Sequence, residues 1–210
     1  IEVLSDWEVH AAFGPGVDAA LGLDAAAATK FAGGLAYQDP RLADAGVRIV
    51  TPAGQASGKF TAAGLVATDA AAYDYFRLGL ALPDGGADLV VDKSLMLESN
   101  FEVLHGVDFD KGCFVGQELT ARTKYRALVR KRLLPVLIDG PLPDPGTPLM
   151  VGEREVASMR SGQKDRGLAL VRLDRLADAG GLGQSLRAGE AEVTIQMPDW
   201  ADFDLNAEVV

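Results

Sequence analysis

Cysteine is almost absent: Cys113 is the only one in 210 residues. One thiol forms no internal disulfide and cannot alone supply the thiolate set that holds an iron–sulfur cluster, so any cluster would need ligands from a partner. Histidine is nearly as scarce. His10 and His105 stand far apart, no HExxH, CxxC or carboxylate-rich loop accompanies them, and no metal ligand is assigned. The chain also lacks GxxxxGK[ST], GxGxxG and GxSxG. No stretch approaches the ~20 apolar residues that cross a bilayer, because Lys30, Gly33, Pro83 and Asp84 interrupt the greasiest windows, and no membrane partner is expected. Positive charge is in short supply: 20 Lys and Arg against 30 Asp and Glu leave a net charge of -10, which argues against nucleic acid as the partner of the whole chain. No leader peptide is evident. The chain opens at Ile1 in what reads as a strand already under way, so an N-terminal portion is expected to be missing.

Glycine is abundant instead, with 24 residues against 10 prolines, and a 48% hydrophobic content is enough for one or two domains. Trp7, Val9, Ala11 and Phe13 alternate with polar residues, predicting a strand that ends at Gly14-Pro15-Gly16. Short extended segments are expected around Asp39-Pro40 and over Val47 to Val50. Val66, Ala70, Tyr73, Phe76, Arg77 and Leu80 recur at helical spacing, predicting an amphipathic helix stopped by Pro83-Asp84-Gly85. Its aromatic stripe reads as core, the alternative being a cofactor-stacking face at Tyr73 or Tyr75. After Leu133 the texture changes to short runs between turn clusters: Leu133 to Ile138, Pro148 to Val151, Val156 to Met159, Gly167 to Leu173 and Glu192 to Met197. Regularly spaced strands of this kind predict a small β-barrel.

The single cysteine sits in the glycine-bracketed run Lys111-Gly112-Cys113-Phe114-Val115-Gly116-Gln117-Glu118, an unusual place for a filler cysteine, and the local context leaves open both a reactive thiol and a reduced, buried, inert one. A helix is expected to open at Gln117, and its N-terminal amides would favour the Cys113 thiolate. On that helix Glu118 and Arg122, four apart, can pair. Arg122, Lys124, Arg126, Arg130, Lys131 and Arg132 concentrate positive charge in an acidic chain. That cluster suits glutamate tails, phosphates or RNA, or is simply a solvated helix end. Glu98, behind the apolar run Leu95-Met96-Leu97, needs a hydrogen-bond donor if buried. A pteridine-like ring with adjacent N–H groups would serve, and so would a backbone amide or Arg77.

The run KGCFVGQELTAR, residues 111–122, resembles the signature of the YgfZ family, folate-binding iron–sulfur assembly proteins with a mitochondrial branch. The resemblance extends to DPRLADAGVRIV, LESN, KRLLPV and RGLALVRL, and so covers most of the chain. That family is similar to the T-protein of the glycine cleavage system. The resemblance implies an α+β fold: a mixed α+β folate-binding domain over residues 1–130, N-terminally incomplete, then a small C-terminal antiparallel β-barrel over 131–210. It implies tetrahydrofolate or a one-carbon derivative as cofactor. Cys113 and Lys111 would carry the chemistry, and Glu98, Arg122, Gln117 and Glu118 would bind the cofactor. Implied partners are folate and the iron–sulfur assembly machinery or [4Fe–4S] client proteins, in a bacterial cytoplasm or, in a eukaryote, the mitochondrial matrix. The alternative is a folate-dependent aminomethyltransferase-like one-carbon transferase.

Overall fold

The computed structural model describes residues 3–23, 28–126, 129–203 and 205. Packing divides the chain into two units, Ile1–Tyr73 and Asp74–Val210. The first is built on a four-stranded antiparallel sheet of β1 (Trp7–Ala12), β2 (Ala28–Phe31), β3 (Gly34–Gln38) and β4 (Val47–Pro52), in the order β1-β4-β3-β2. The predicted alternation over Trp7 to Phe13 is thus a strand, while Val3 lies outside it and Ile1 and Glu2 fall outside the described residues. Along β4, Val47, Ile49 and Thr51 point into the core and the residues between them do not. Ala36 lies opposite Ile49, and Val17 and Leu21 with Phe60 close this core. β2 and β3 are joined by Ala32-Gly33, both at positive φ, the two-residue hairpin geometry that matches strand twist. Gly34 follows because a Cβ there would lie 1.8 Å from the Val50 carbonyl oxygen.

The predicted helix is α3 (Ala70–Gly79), after the short α1 (Val17–Ala20) and α2 (Ser57–Ala62) of the first unit. It starts later than the periodicity suggested, and Val66 stays exposed outside it. The physical reason is a cap: the Asp69 carboxylate accepts the Ala72 N–H at 2.8 Å, so the helix nucleates there. The aromatic stripe is also not core. α3 buries Arg77 and Leu78, and Leu78 and Ala81 pack with Leu133, Leu168 and Trp200. Tyr75 instead donates to Asp165 at 2.9 Å, with the cations of Lys164 and Arg166 within 5.2 and 4.5 Å of its ring centre.

The second unit carries α4 (Glu118–Arg126) and then a closed antiparallel barrel. Its strands are β5 (Lys131–Asp139), β6 (Pro148–Val151), β7 (Arg154–Gln163), β8 (Arg166–Arg172), β9 (Ser185–Ala188) and β10 (Ala191–Ile195), arranged β10-β5-β8-β7-β6-β9. Leu134, Val136, Leu149, Val156, Met159, Val171, Leu186 and Val193 meet in the interior, the strands giving alternate residues to it except in β7, where Val156 and Ala157 are both buried beside a register shift against β6. The sequence reading overlooked β9, four residues with only Leu186 and Ala188 buried. It also ran β8 through Leu173, which instead opens α5 (Leu173–Asp178). Closure removes both sheet edges, so even a strand that short is held from two sides. Among the described residues no helix is long and apolar enough to cross a membrane.

Beside the barrel the chain is pinned by a buried charge cluster. Arg77 donates from Nη1 to Asp88 at 2.7 Å and to the Leu82 carbonyl at 3.1 Å, and from Nε to Asp74 at 2.6 Å. Ser161 of β7 donates to the other Asp88 oxygen. Arg77 is therefore committed to Asp74 and Asp88, and it is not the donor for Glu98 that the sequence had left open.

Candidate functional site: the Glu98 cavity and the cysteine loop

Each residue of Leu97-Glu98-Ser99-Asn100 has a distinct task. Leu97 is buried, and Ser99 donates its hydroxyl to the Leu95 carbonyl at 3.0 Å. Asn100 takes a left-handed φ of 62° and donates from Nδ2 to the Leu133 carbonyl at 2.7 Å, while the Leu133 N–H donates to the Glu98 carbonyl at 2.8 Å. The segment is thus clipped to β5 at two points, and the Glu98 side chain is left facing a cavity of about 330 Å³.

The outer wall of the barrel forms the floor of that cavity. Inward residues Leu134, Ala169 and Met159 leave their neighbours Lys131 and Leu133 of β5, Leu170 of β8 and Arg160 of β7 on the outside, and these four line it. Lys93, Ser94 and Leu95 line it beside Glu98, and Asp88, Val90 and Ser99 complete the lining. Burial pushes the Glu98 carboxyl up, and the charges of Lys131 and Arg160 pull it part of the way back. A carboxylate held this way between leucines and cations can accept N–H donors from a planar ring. Lys131 was part of the basic run in the sequence, but Arg160 was not singled out. Its signal was an arginine at an outward position of a strand whose neighbours point into the core.

The cysteine loop has a different character. Gln117 is the N-cap of α4, its carbonyl accepting the Ala121 N–H at 2.9 Å, so the helix begins one residue later than expected. The Gln117 N–H donates to the Phe114 carbonyl at 3.0 Å, and the Phe114 N–H donates back to Gln117 Oε1 at 3.3 Å. Glu118 does not pair with Arg122. It accepts the Gly116 N–H at 3.0 Å, because a helix start leaves amides unpaired and a first-turn carboxylate is within their reach. Cys113 is exposed, its thiol 3.9 Å from the Phe114 carbonyl oxygen, and Lys111 Nζ stands 5.7 Å from the centre of the Phe114 ring. Arg122 is exposed and has no ion pair among the described residues, and the Arg126 side chain lies outside them. Lys124 pairs with Glu102, and Tyr125 meets Phe109 edge-on at 6.0 Å.

None of Lys111, Cys113, Gln117, Glu118 and Arg122 lines the Glu98 cavity. The predicted residues thus form two groups: a cavity carboxylate and an exposed thiol loop. No three His, Cys, Asp or Glu side chains among the described residues group as a metal-ligand set.

Comparison with known proteins starts at the barrel, where residues 130–203 match the model of the CAF17 C-terminal β-barrel domain. The barrel is similar to that domain, and the chain is similar over most of its length to proteins named IBA57. The mouse mitochondrial iron–sulfur cluster assembly factor IBA57 is 38% identical over 172 residues, which cover 78% of this chain and 46% of that protein. Its human counterpart is 37% identical over 177 residues, covering 80% and 48%. The chain therefore spans about half the length of the curated relatives it matches. The glycine cleavage system aminomethyltransferase T of Bartonella henselae superposes with a TM-score of 0.59 over 89% of this chain and 56% of that one. At 14% identity the superposition establishes the fold alone, that of the aminomethyltransferase T. The iron–sulfur side of the sequence resemblance is carried by proteins named IBA57, where the motif had suggested YgfZ.

Proposed function

We propose that this protein is a tetrahydrofolate-binding accessory factor in the assembly or repair of [4Fe–4S] proteins, in a bacterial cytoplasm or a mitochondrial matrix. The observation that carries the reading is its 38% identity, over most of its described length, to an iron–sulfur cluster assembly factor. The folate part is supported by the Glu98 cavity, whose leucine walls suit a flat ring and whose carboxylate suits adjacent ring N–H groups. Lys93, Lys131 and Arg160 would favour the ionised Glu98 and the anionic end of the cofactor. When bound, tetrahydrofolate supplies a one-carbon carrier. Cys113, exposed and unburdened by packing, would act as a thiol toward a client or a transient cluster, with the remaining ligands coming from the partner.

Calorimetry with tetrahydrofolate tests the cofactor reading. Glu98→Gln is expected to weaken binding by about 1.5–3 kcal/mol, the range for hydrogen bonds to charged groups. Unchanged affinity removes Glu98 from the site, and no binding to the unmodified protein removes folate. The same variant has a second readout. Because its folded pKa is raised, Glu98 binds more protons in the folded state than in the unfolded one, and its ionisation costs stability as pH rises through and above the carboxylate range. Glu98→Gln should therefore raise Tm near neutral pH and leave it unchanged well below that range. In cells lacking the gene, failure of a [4Fe–4S] enzyme with intact glycine cleavage supports the accessory role. The reverse pattern favours the one-carbon transferase that shares the fold.

A further inference from the structure

The segment DPRLADAGVRIV of the first unit holds charge that neither the fold nor the proposed function uses. The Asp39 side chain is 1% exposed, and its carboxylate accepts the Arg41 backbone N–H at 3.1 Å, Arg41 Nε at 3.0 Å, Arg41 Nη2 at 2.8 Å and Arg48 Nε at 2.8 Å. Burial pushes that carboxyl up, but the Arg41 and Arg48 hydrogen bonds outweigh it and hold it at about 2. Asp39 is therefore ionised at neutral pH and supplies one negative charge to two guanidinium groups.

Those two groups converge a second time. Arg41 Nη2 and Arg48 Nη2 both donate to Tyr73 Oη, the first at 3.4 Å and the second closer, and the Arg48 guanidinium carbon lies 5.2 Å from the centre of the Tyr73 ring. Both heads are thus fixed by two shared acceptors. Like charges in such proximity repel, the more so where burial limits screening by water. One arginine would suffice to neutralise Asp39, and the second leaves an unbalanced positive charge. The side chains remain 33% and 24% exposed, and neither Nη1 has a hydrogen bond among the described residues. Solvent-facing donors, a net positive charge and heads already immobilised are the requirements of oxyanion recognition by arginine.

We propose that Arg41 and Arg48, oriented by Asp39 and Tyr73, form an oxyanion site that takes the phosphate or carboxylate group of a small molecule. The site lies within the first unit and does not depend on the folate reading.

Both Nε–H groups are bonded to a buried carboxylate, which slows their exchange and makes them visible by NMR. The test titrates the full chain with inorganic phosphate and, separately, with acetate, at ionic strength held constant with chloride. The expected result is a saturable shift of the Arg41 and Arg48 Nε–H resonances, and the anion that binds more tightly names the source. Arg41→Gln should weaken that binding at least about tenfold, the loss of one charged hydrogen bond. Arg48→Lys, which keeps the charge but not the fork, should weaken it as well. If neither anion produces a saturable shift, or if both variants bind as tightly as the unmodified protein, the site does not exist. Where Arg41→Gln fails to fold, the wild-type titration and Arg48→Lys decide.

Discussion

The barrel and the cysteine loop belong to the same unit and treat apolar side chains in opposite ways. In the barrel Leu134, Leu149, Val156, Met159 and Leu186 are wholly buried. In the loop and the first turn of α4, Phe114 is 61% exposed, Val115 99% and Leu119 64%. Packing accounts for the first set, since each buried leucine or valine is worth roughly 1.5–3 kcal/mol. It does not account for the second. The loop is shaped by backbone bonds among Phe114, Gly116, Gln117 and Glu118, with Gly112 and Gly116 at positive φ, and its side chains contribute little to holding it. Barrel residues serve the fold, whereas the loop residues are left free to meet something else.

Substitutions can sharpen or break that contrast. Leu134→Ala should show the largest effect, a loss of about 4 kcal/mol in urea denaturation, from lost transfer free energy plus the cavity left in a closed barrel. Asp88→Asn should follow at about 3 kcal/mol, because it leaves the buried Arg77 guanidinium with only Asp74 as a charged partner. Cys113→Ser and Val115→Ser should each stay within about 0.5 kcal/mol of the unmodified protein, as for exposed positions away from packed groups. Cys113→Ser should nonetheless fail to restore [4Fe–4S] enzyme activity in cells lacking the gene. A loop variant that cost as much as Leu134→Ala would overturn the comparison, and full rescue by Cys113→Ser would end the role proposed for the thiol.

Elements with a clear period were legible in the sequence. The alternation at Val193 and Ile195 became a strand with those residues buried, as a half-buried strand requires, whereas Trp7–Ala12 became a strand in which Val9 is 68% exposed and Ala12 packs on the core, so there the period marked the strand but not its buried face. The helix start was misplaced because periodicity extends through Val66, whereas the Asp69 side chain decides where the first turn closes. The aromatic stripe was misread for a related reason: period shows which residues share a face but not what that face meets. Tyr73 and Tyr75 were in fact paired with arginines and with Asp165. The candidate site was half legible. Glu98 and Cys113 were both singled out, but Arg160 became part of the Glu98 cavity only once β7 lay near β5 across β8.

The sequence by itself determined the local grammar of this protein: a mixed α+β first part, a strand-rich second part, and a lone cysteine in a glycine-rich, charged turn. Local sterics and hydrophobic period act over a few residues, so one strand of text carries them. The tertiary structure alone decided that Arg77 belongs to Asp88, that Glu98 faces Lys131 and Arg160, and that Arg41 and Arg48 share one buried carboxylate. Charge pairing is set by distance and burial in space, and residues such as Glu98 and Arg160, far apart along the chain, come to line one cavity only when the barrel closes.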